Sequence, residues 1–349
     1  MTDLAVGVIG LGRMGALHAE HLGGVIRGAR LHAAVVDPVH RQHLEATGTA
    51  PCPLVASVEE LVADPAVDAV IVVSPTDAHR GHIALAASRG KAMFVEKPVA
   101  GSVADAVEVA ALVRAAAVPF QIAFQRRFDP SYARAKELIL GGAIGTVEMF
   151  RGLTCDKIPP VDYLRTSGGL FWDLGIHDFD AARFLMGDDI AAVHATGTIL
   201  VEPRLAEFDD IDHGVATLRF RNGGMGVIQN AWRAPYGYDI RAEVHGTLGK
   251  VVADLDAREP ASLYTEAGFG FRKFHLFTER FQEAYRLELQ AFVDAIHAGR
   301  MPEPGIDDAL QAVLISDAAT RSHHEHRWID IPPSRPDSSP FPASSFPTS

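Results

Sequence analysis

Three side chains of this 349-residue chain are of the types that move a proton and steady a growing negative charge: Lys97, Asp173 and His177. An imidazole exchanges its proton near neutral pH, so His177 is suited to take one from a hydroxyl. Asp173 stands four residues earlier, in Leu170-Phe171-Trp172-Asp173-Leu174-Gly175-Ile176-His177. On a helix that spacing puts carboxylate and ring on one face, and the carboxylate then steers the ring's proton. Lys97 follows Glu96 and precedes Pro98, a residue that suggests a fixed, cis-capable peptide. An ammonium held there favours a developing alkoxide. Each group also has a plainer reading: Lys97 as an exposed strand end, Asp173 and His177 as a structural pair at a helix start, Asp178 and Asp180 as caps or partners of Arg183. Gly175 inside a helix costs about 1 kcal/mol relative to Ala, which close approach of a ligand or backbone would explain.

The elements that must position these groups begin near the N-terminus. Ala5 to Ile9 is a short apolar run that breaks into Gly10-Leu11-Gly12-Arg13-Met14-Gly15 and continues as Ala16-Leu17-His18-Ala19. A buried strand, a tight turn and a helix start follow from that pattern. Gly10 takes the turn, Gly12 lets a pyrophosphate approach the backbone, Gly15 brings helix and strand together, and Arg13 and Met14 lie at the helix N-terminus, where unpaired N–H groups attract anions. A second strand ends in Asp37, about 20 residues past the last glycine, where a carboxylate meets the ribose hydroxyls of a dinucleotide. Asp37 repels a 2'-phosphate and Pro38 follows it, so NAD is expected over NADP; the plainer role of Asp37 is to cap the turn into Pro38.

Strands and helices alternate to about residue 122: Asp68 to Val73 ending at Ser74-Pro75, helical spacing from Ala78 to Ser88, Ala92 to Val95 ending at Glu96-Lys97-Pro98, helical spacing from Val103 to Ala117, then Phe120 to Phe124. That alternation predicts an α/β fold, a Rossmann-type doubly wound parallel sheet with Gly10, Asp37, Ser74 and Lys97 along its carboxyl edge. Beyond Arg126 and Arg127, expected where two domains meet as substrate ligands or ion pairs, strands alternate in burial: Ala192 to Leu200, Gly214 to Phe220, Met225 to Trp232 and Asp239 to Val244. Asn222-Gly223-Gly224 reads as a hairpin. The second part is thus α+β on a large, mostly antiparallel open sheet. Tyr236 and Tyr238 start one strand as donors to a polyol or as core. Helices are expected over 277–298 and 307–321, and the Pro- and Ser-rich residues 332–349 as a disordered tail. The expected domains are 1–122 for the cofactor and 123–331 for substrate and oligomerisation.

A net charge of −12 argues against nucleic acid or an anionic membrane surface as partner. Cys52 and Cys155 form no metal or disulfide pattern, no secretory or membrane-spanning run is visible, and a cytoplasmic location is expected. His323-His324-x-His326, in a charged stretch near the tail, is not expected to bind metal.

Together, the glycine turn at 10–15, Glu96-Lys97-Pro98, Gln125-Arg126-Arg127-Phe128-Asp129, Ser167-Gly168-Gly169, Asp173-x-x-x-His177-Asp178-x-Asp180 and Tyr236-Gly237-Tyr238-Asp239 resemble the glucose-fructose oxidoreductase / inositol dehydrogenase / rhizopine catabolism family, and within it the inositol-oxidising branch, over residues 4 to about 331. The resemblance implies a catalytic set of Lys97, Asp173 and His177, with His177 as base. It implies cyclitol contacts from Arg127 and Tyr236, a nicotinamide border of Ser74, Pro75, His79 and Glu96, and a homotetramer built on the second domain's sheet. The implied reaction is NAD-dependent oxidation of myo-inositol to its 2-keto product. Trp172 stands where inositol enzymes often carry Arg, and Ser74-Pro75-Thr76-Asp77 lacks the Asn of many relatives. The polyol therefore stays open, with scyllo-inositol, a pyranose sugar or an NAD-dependent glycosidase of the same fold as alternatives. A non-catalytic sensor is a further one.

Overall fold

The computed structural model describes residues 2–254, 263–266, 268–270 and 273–333. The expected tail lies outside the described residues from 334 onward. The chain opens with β1 (Leu4–Ile9), α1 (Arg13–Gly24), β2 (Ala29–Val35), α2 (Pro38–Thr47), α3 (Val58–Ala63), β3 (Ala69–Val72), α4 (Thr76–Ser88), β4 (Ala92–Val95), α5 (Val103–Ala116) and β5 (Phe120–Ile122). It continues with α6 (Pro130–Leu140), β6 (Val147–Cys155), α7 (Val161–Leu164), a π-helical turn (Phe171–Gly175), α8 (Ile176–Met186), β7 (Ile190–Thr198), β8 (His213–Phe220), β9 (Met225–Ala231), β10 (Asp239–Gly246), β11 (Gly249–Asp254), the short pair β12 (Leu263–Thr265) and β13 (Gly268–Gly270), α9 (Phe277–Arg280), α10 (Gln282–His297), α11 (Ile306–Glu325) and β14 (Ile329–Asp330).

The chain forms two compact units, one of residues 1–128 and 283–313, the other of 129–282 and 314–349. In the first, the five strands run in the order β2-β1-β3-β4-β5, all parallel. Their sequences are nearly continuous apolar runs because such a sheet is covered on both faces; β3 and β4 are buried along their whole length. The helix starts are chemically marked: Asp37 accepts the N–H groups of Val39 and His40 ahead of Pro38, and Ser57 and Ser102 cap α3 and α5.

Residues 283–313, read from sequence with the second part, pack in this unit. Leu289, Phe292 and Val293 of α10 share a core with Val6, Val8, Ile71 and Phe94. An apolar stripe at helical spacing shows that a helix has a core to meet and is silent on which one.

The second unit holds a seven-stranded sheet ordered β11-β10-β6-β9-β8-β7-β14. Its neighbours are antiparallel except β6 and β9. The expected hairpin joins β8 and β9, with Gly223 at φ +91°. One face of the sheet, with Phe150, Leu218, Ile228 and Val244 fully buried, is the core face. β11 was not foreseen, because Gly249-Lys250-Val251 follows directly on another strand with little to mark a turn.

Candidate active site

In the first unit the glycine turn has the geometry of an anion cradle. Gly10 sits at φ +101°, where an L side chain is strained. A Cβ on Gly15 would stand 2.0 Å from the Gly10 carbonyl oxygen, so no larger residue fits where α1 meets the turn. A Cβ on Gly12 would meet nothing within 4 Å, leaving the backbone open to a ligand. No side chain caps α1, and a helix start over Arg13 and Met14 is the kind of place that attracts an anion. These residues fit the pyrophosphate of a dinucleotide. Asp37 lies just past β2, and its Oδ1 accepts the N–H groups of Val39 and His40 at the start of α2 at 3.0–3.1 Å, so the capping role and a place at the sheet's carboxyl edge coexist.

Lys97 is half-buried, two residues past the end of β4, and the Lys97–Pro98 peptide is cis. It is thus not the exposed strand end of the plainer reading. The neighbouring Glu96 accepts at 3.0 Å from Nε2 of His18, a fully buried ring on α1 that also lies edge-on to Phe94. Sequence reasoning missed His18; its only signal was a histidine three residues past the last glycine of the turn.

His79, expected to border the nicotinamide, is 1% exposed, with ring nitrogens 2.9 Å from the carbonyls of Ser74 and Pro98. Its place is behind the carboxyl edge, pinning the Ser74-Pro75 loop against the segment after Lys97. Burial pushes its pKa below the ordinary value, and a neutral ring donates to one of these carbonyls at a time. Ser74 also pairs through Oγ with Nδ1 of His82 at 2.9 Å. Arg127, expected at the substrate, donates from Nη2 to Asp308 at 2.9 Å within the first unit, while Arg126 is buried.

In the second unit, Asp173 lies in the π-helical turn and His177 in the first turn of α8, which follows without a break. Across residues 170–182 every residue is buried except Asp173 and His177, which are half-buried. An otherwise buried stretch thus opens to the outside at two polar groups four apart, and π-helical turns of this kind concentrate at functional sites. The expected ideal helix is widened here by one residue. Gly175 explains itself: a Cβ there would stand 3.0 Å from Oδ1 of Asn230 on β9, so close backbone approach demands glycine.

Asp173 has a partner that sequence did not suggest. The hydroxyl of Tyr163, on α7, donates to its Oδ1 at 3.1 Å. Asp178 accepts from Thr154 Oγ1 at 2.9 Å and Asn230 Nδ2 at 2.7 Å, fastening α8 to β6 and β9, and Arg183 donates from Nε and Nη2 to Asp189. Tyr236 donates to Asp239 at 3.1 Å beneath the Lys273 ammonium, which lies 5.1 Å from the ring centre; Tyr238 is buried and packs on Phe281. Burial first, then neighbouring Cys155 and the charge of Asp239, raise the pKa of Tyr236, so it remains a proton donor. His323 and His324 lie on the last turn of α11, and no metal-binding group of three or more side chains exists among the described residues.

A five-stranded parallel sheet with a phosphate cradle, joined in one chain to a second unit that presents a carboxylate and an imidazole, defines a nicotinamide-dinucleotide oxidoreductase. Residues 4–124 match the oxidoreductase family model with an NAD-binding Rossmann fold, and residues 132–252 match the GFO/IDH/MocA C-terminal domain. The chain belongs to the GFO/IDH/MocA oxidoreductase family. It is 37% identical to the myo-inositol 2-dehydrogenase of Thermotoga maritima, over 94% of this chain and 98% of the relative. It is also 37% identical to the NAD-dependent scyllo-inositol 2-dehydrogenase of Bacillus subtilis, over 90% and 92% of the two chains. The crystal structure of myo-inositol dehydrogenase from Lactobacillus casei with NAD(H) and myo-inositol superposes with a TM-score of 0.86 at 25% identity, covering 97% of this chain and 99% of that one.

Proposed function

We propose that this protein oxidises a ring hydroxyl of a cyclitol with NAD, myo-inositol to its 2-keto product being the first candidate. The observation that carries the reading is the pair Asp173 and His177, the two half-buried residues of the otherwise buried stretch 170–182. His177 accepts the hydroxyl proton, Asp173 orients the ring, and Tyr163 holds the Asp173 carboxylate. The Lys97 ammonium steadies the alkoxide oxygen as its charge grows. NAD, held by the Gly10–Gly15 turn and Asp37, supplies the acceptor for the hydride lost from the ring carbon. Arg127 and Tyr236 contribute donors to the remaining hydroxyls. The domain roles follow: cofactor on the parallel sheet, polyol and self-association on the second unit, with the assembly a homotetramer in the cytoplasm.

Equal identity to the scyllo-inositol relative supports that isomer as the second candidate. The test is a screen of inositols and aldoses with NAD and NADP, followed by absorbance of the reduced nicotinamide. NADH from an inositol supports the reading. Glycoside cleavage without net NADH, or cofactor binding with no turnover of any polyol, overturns it.

A further inference from the structure

The segment leading into the π-helical turn is held by a carboxylate from elsewhere in the chain. Oδ1 of Asp210 accepts the backbone N–H of Leu170 at 3.0 Å and that of Ile211 at 2.8 Å. Leu170 is where the helix carrying Asp173 and His177 begins, and its own side chain offers no cap. The carboxylate therefore satisfies one of the donors that every helix start leaves over. Its approach depends on Gly168 and Gly169, at φ +85° and +94°; a Cβ on Gly169 would stand 2.8 Å from Oδ1 of Asp210. Oδ2 of Asp210 is buried, with no hydrogen-bond partner among the described residues. A cavity of about 200 Å³ lies against Asp210, lined also by Arg165, Asp209, His323 and His324.

We propose that Asp210 is a positioning residue for Asp173 and His177: its Oδ1, held to the Leu170 N–H, fixes the start of the helix that carries them. The inference rests on His177 as the proton acceptor. The charged groups around Asp210 are Asp173 on the π turn, Asp209 and Asp212 on its own segment, Arg165 after α7, and His323 and His324 on α11. Burial raises the Asp210 pKa, the two N–H bonds oppose this, and Asp173 raises it further.

Two substitutions separate placement from charge. Asp210→Asn keeps an oxygen for the Leu170 N–H and loses the charge; Asp210→Ala loses both. Thermal melts and NAD titrations establish that each variant is folded and binds cofactor. In Asp210→Ala, kcat is expected to fall about tenfold or more with the NAD dissociation constant within about twofold of the parent. In Asp210→Asn, kcat should stay within about threefold. Without cofactor, backbone hydrogen exchange across residues 170–177 should quicken in Asp210→Ala and stay near the parent rate in Asp210→Asn. Exchange there that is the same in Asp210→Ala and the parent overturns the inference, as does an Asp210→Asn loss as large as that of Asp210→Ala. Hydrogen exchange needs no turnover, so it decides this inference even where failure to oxidise any cyclitol has removed the functional reading.

Discussion

His177 and Asp173 are set apart by being the two half-buried residues in the otherwise buried stretch 170–182, and their side chains are the ones expected to matter most for turnover. His177→Ala is expected to lower kcat by about 10²- to 10⁴-fold, the usual worth of a general base, with the NAD dissociation constant unchanged. Steady-state kinetics beside a fluorescence titration of NAD checks both halves. Tyr163→Phe removes one neutral-to-charged hydrogen bond on Asp173. Such a bond is worth about 1.5–3 kcal/mol when sheltered, and Tyr163 is 46% exposed, so the expected loss in kcat/KM is at the lower end, about tenfold. The Asp173-to-His177 spacing was legible because residue type and interval were both informative. Tyr163 was not, since a tyrosine ten residues away on a separate short helix carries no local signal of where its hydroxyl points.

Among the elements, the turn before β8 is held by Asp212. Its side chain is fully buried and accepts the N–H groups of Leu200, Val201 and Glu202 at 2.7–2.9 Å, with Nδ1 of His213 at 2.7 Å. Burial alone would raise its pKa, but the four donors prevail and hold it below the ordinary value. A carboxyl with a depressed folded pKa stabilises fully above its unfolded pKa and loses that contribution as pH falls through the folded value. Asp212→Asn is thus expected to melt lower than the parent at neutral pH, the gap closing as pH drops below the ordinary aspartate range; melting curves over an acid series check it. An unchanged gap across that series would remove Asp212 from this role. Glycine turns, Asp-Pro helix starts and the Asn222-Gly223-Gly224 hairpin were readable because they act within a few residues. The pairing of β6 beside β9, and the placement of α10, join distant segments and were not.

For the molecule as a whole, the outward face of the large sheet calls for cover. Met149 and Met225, paired in register on β6 and β9, are 38% and 49% exposed, and Val215 and Val252 on the same face are 42% and 46% exposed. Arg151, Arg219, Arg241 and Glu243 interleave with them, the mixture of an interface between copies more than of a core. Sedimentation is expected to give a homotetramer, and Met225→Lys to shift it toward smaller species. A parent that sediments as a monomer at micromolar concentration would sink the assembly. No helix among the described residues is long and apolar enough to cross a membrane.

From the sequence alone came the parallel α/β architecture and the phosphate turn, because each rests on residue types at short, regular intervals; Lys97, Asp173 and His177 were candidates by residue type and became a set only through the family resemblance. Tertiary structure alone decided that His18 backs Glu96, that His79 serves the backbone, that Tyr163 and Asp210 support the helix of Asp173 and His177, and that 283–313 joins the parallel sheet. Those contacts link residues from five to more than two hundred positions apart. Their partners are selected by packing and desolvation after the chain has folded, which no local pattern encodes.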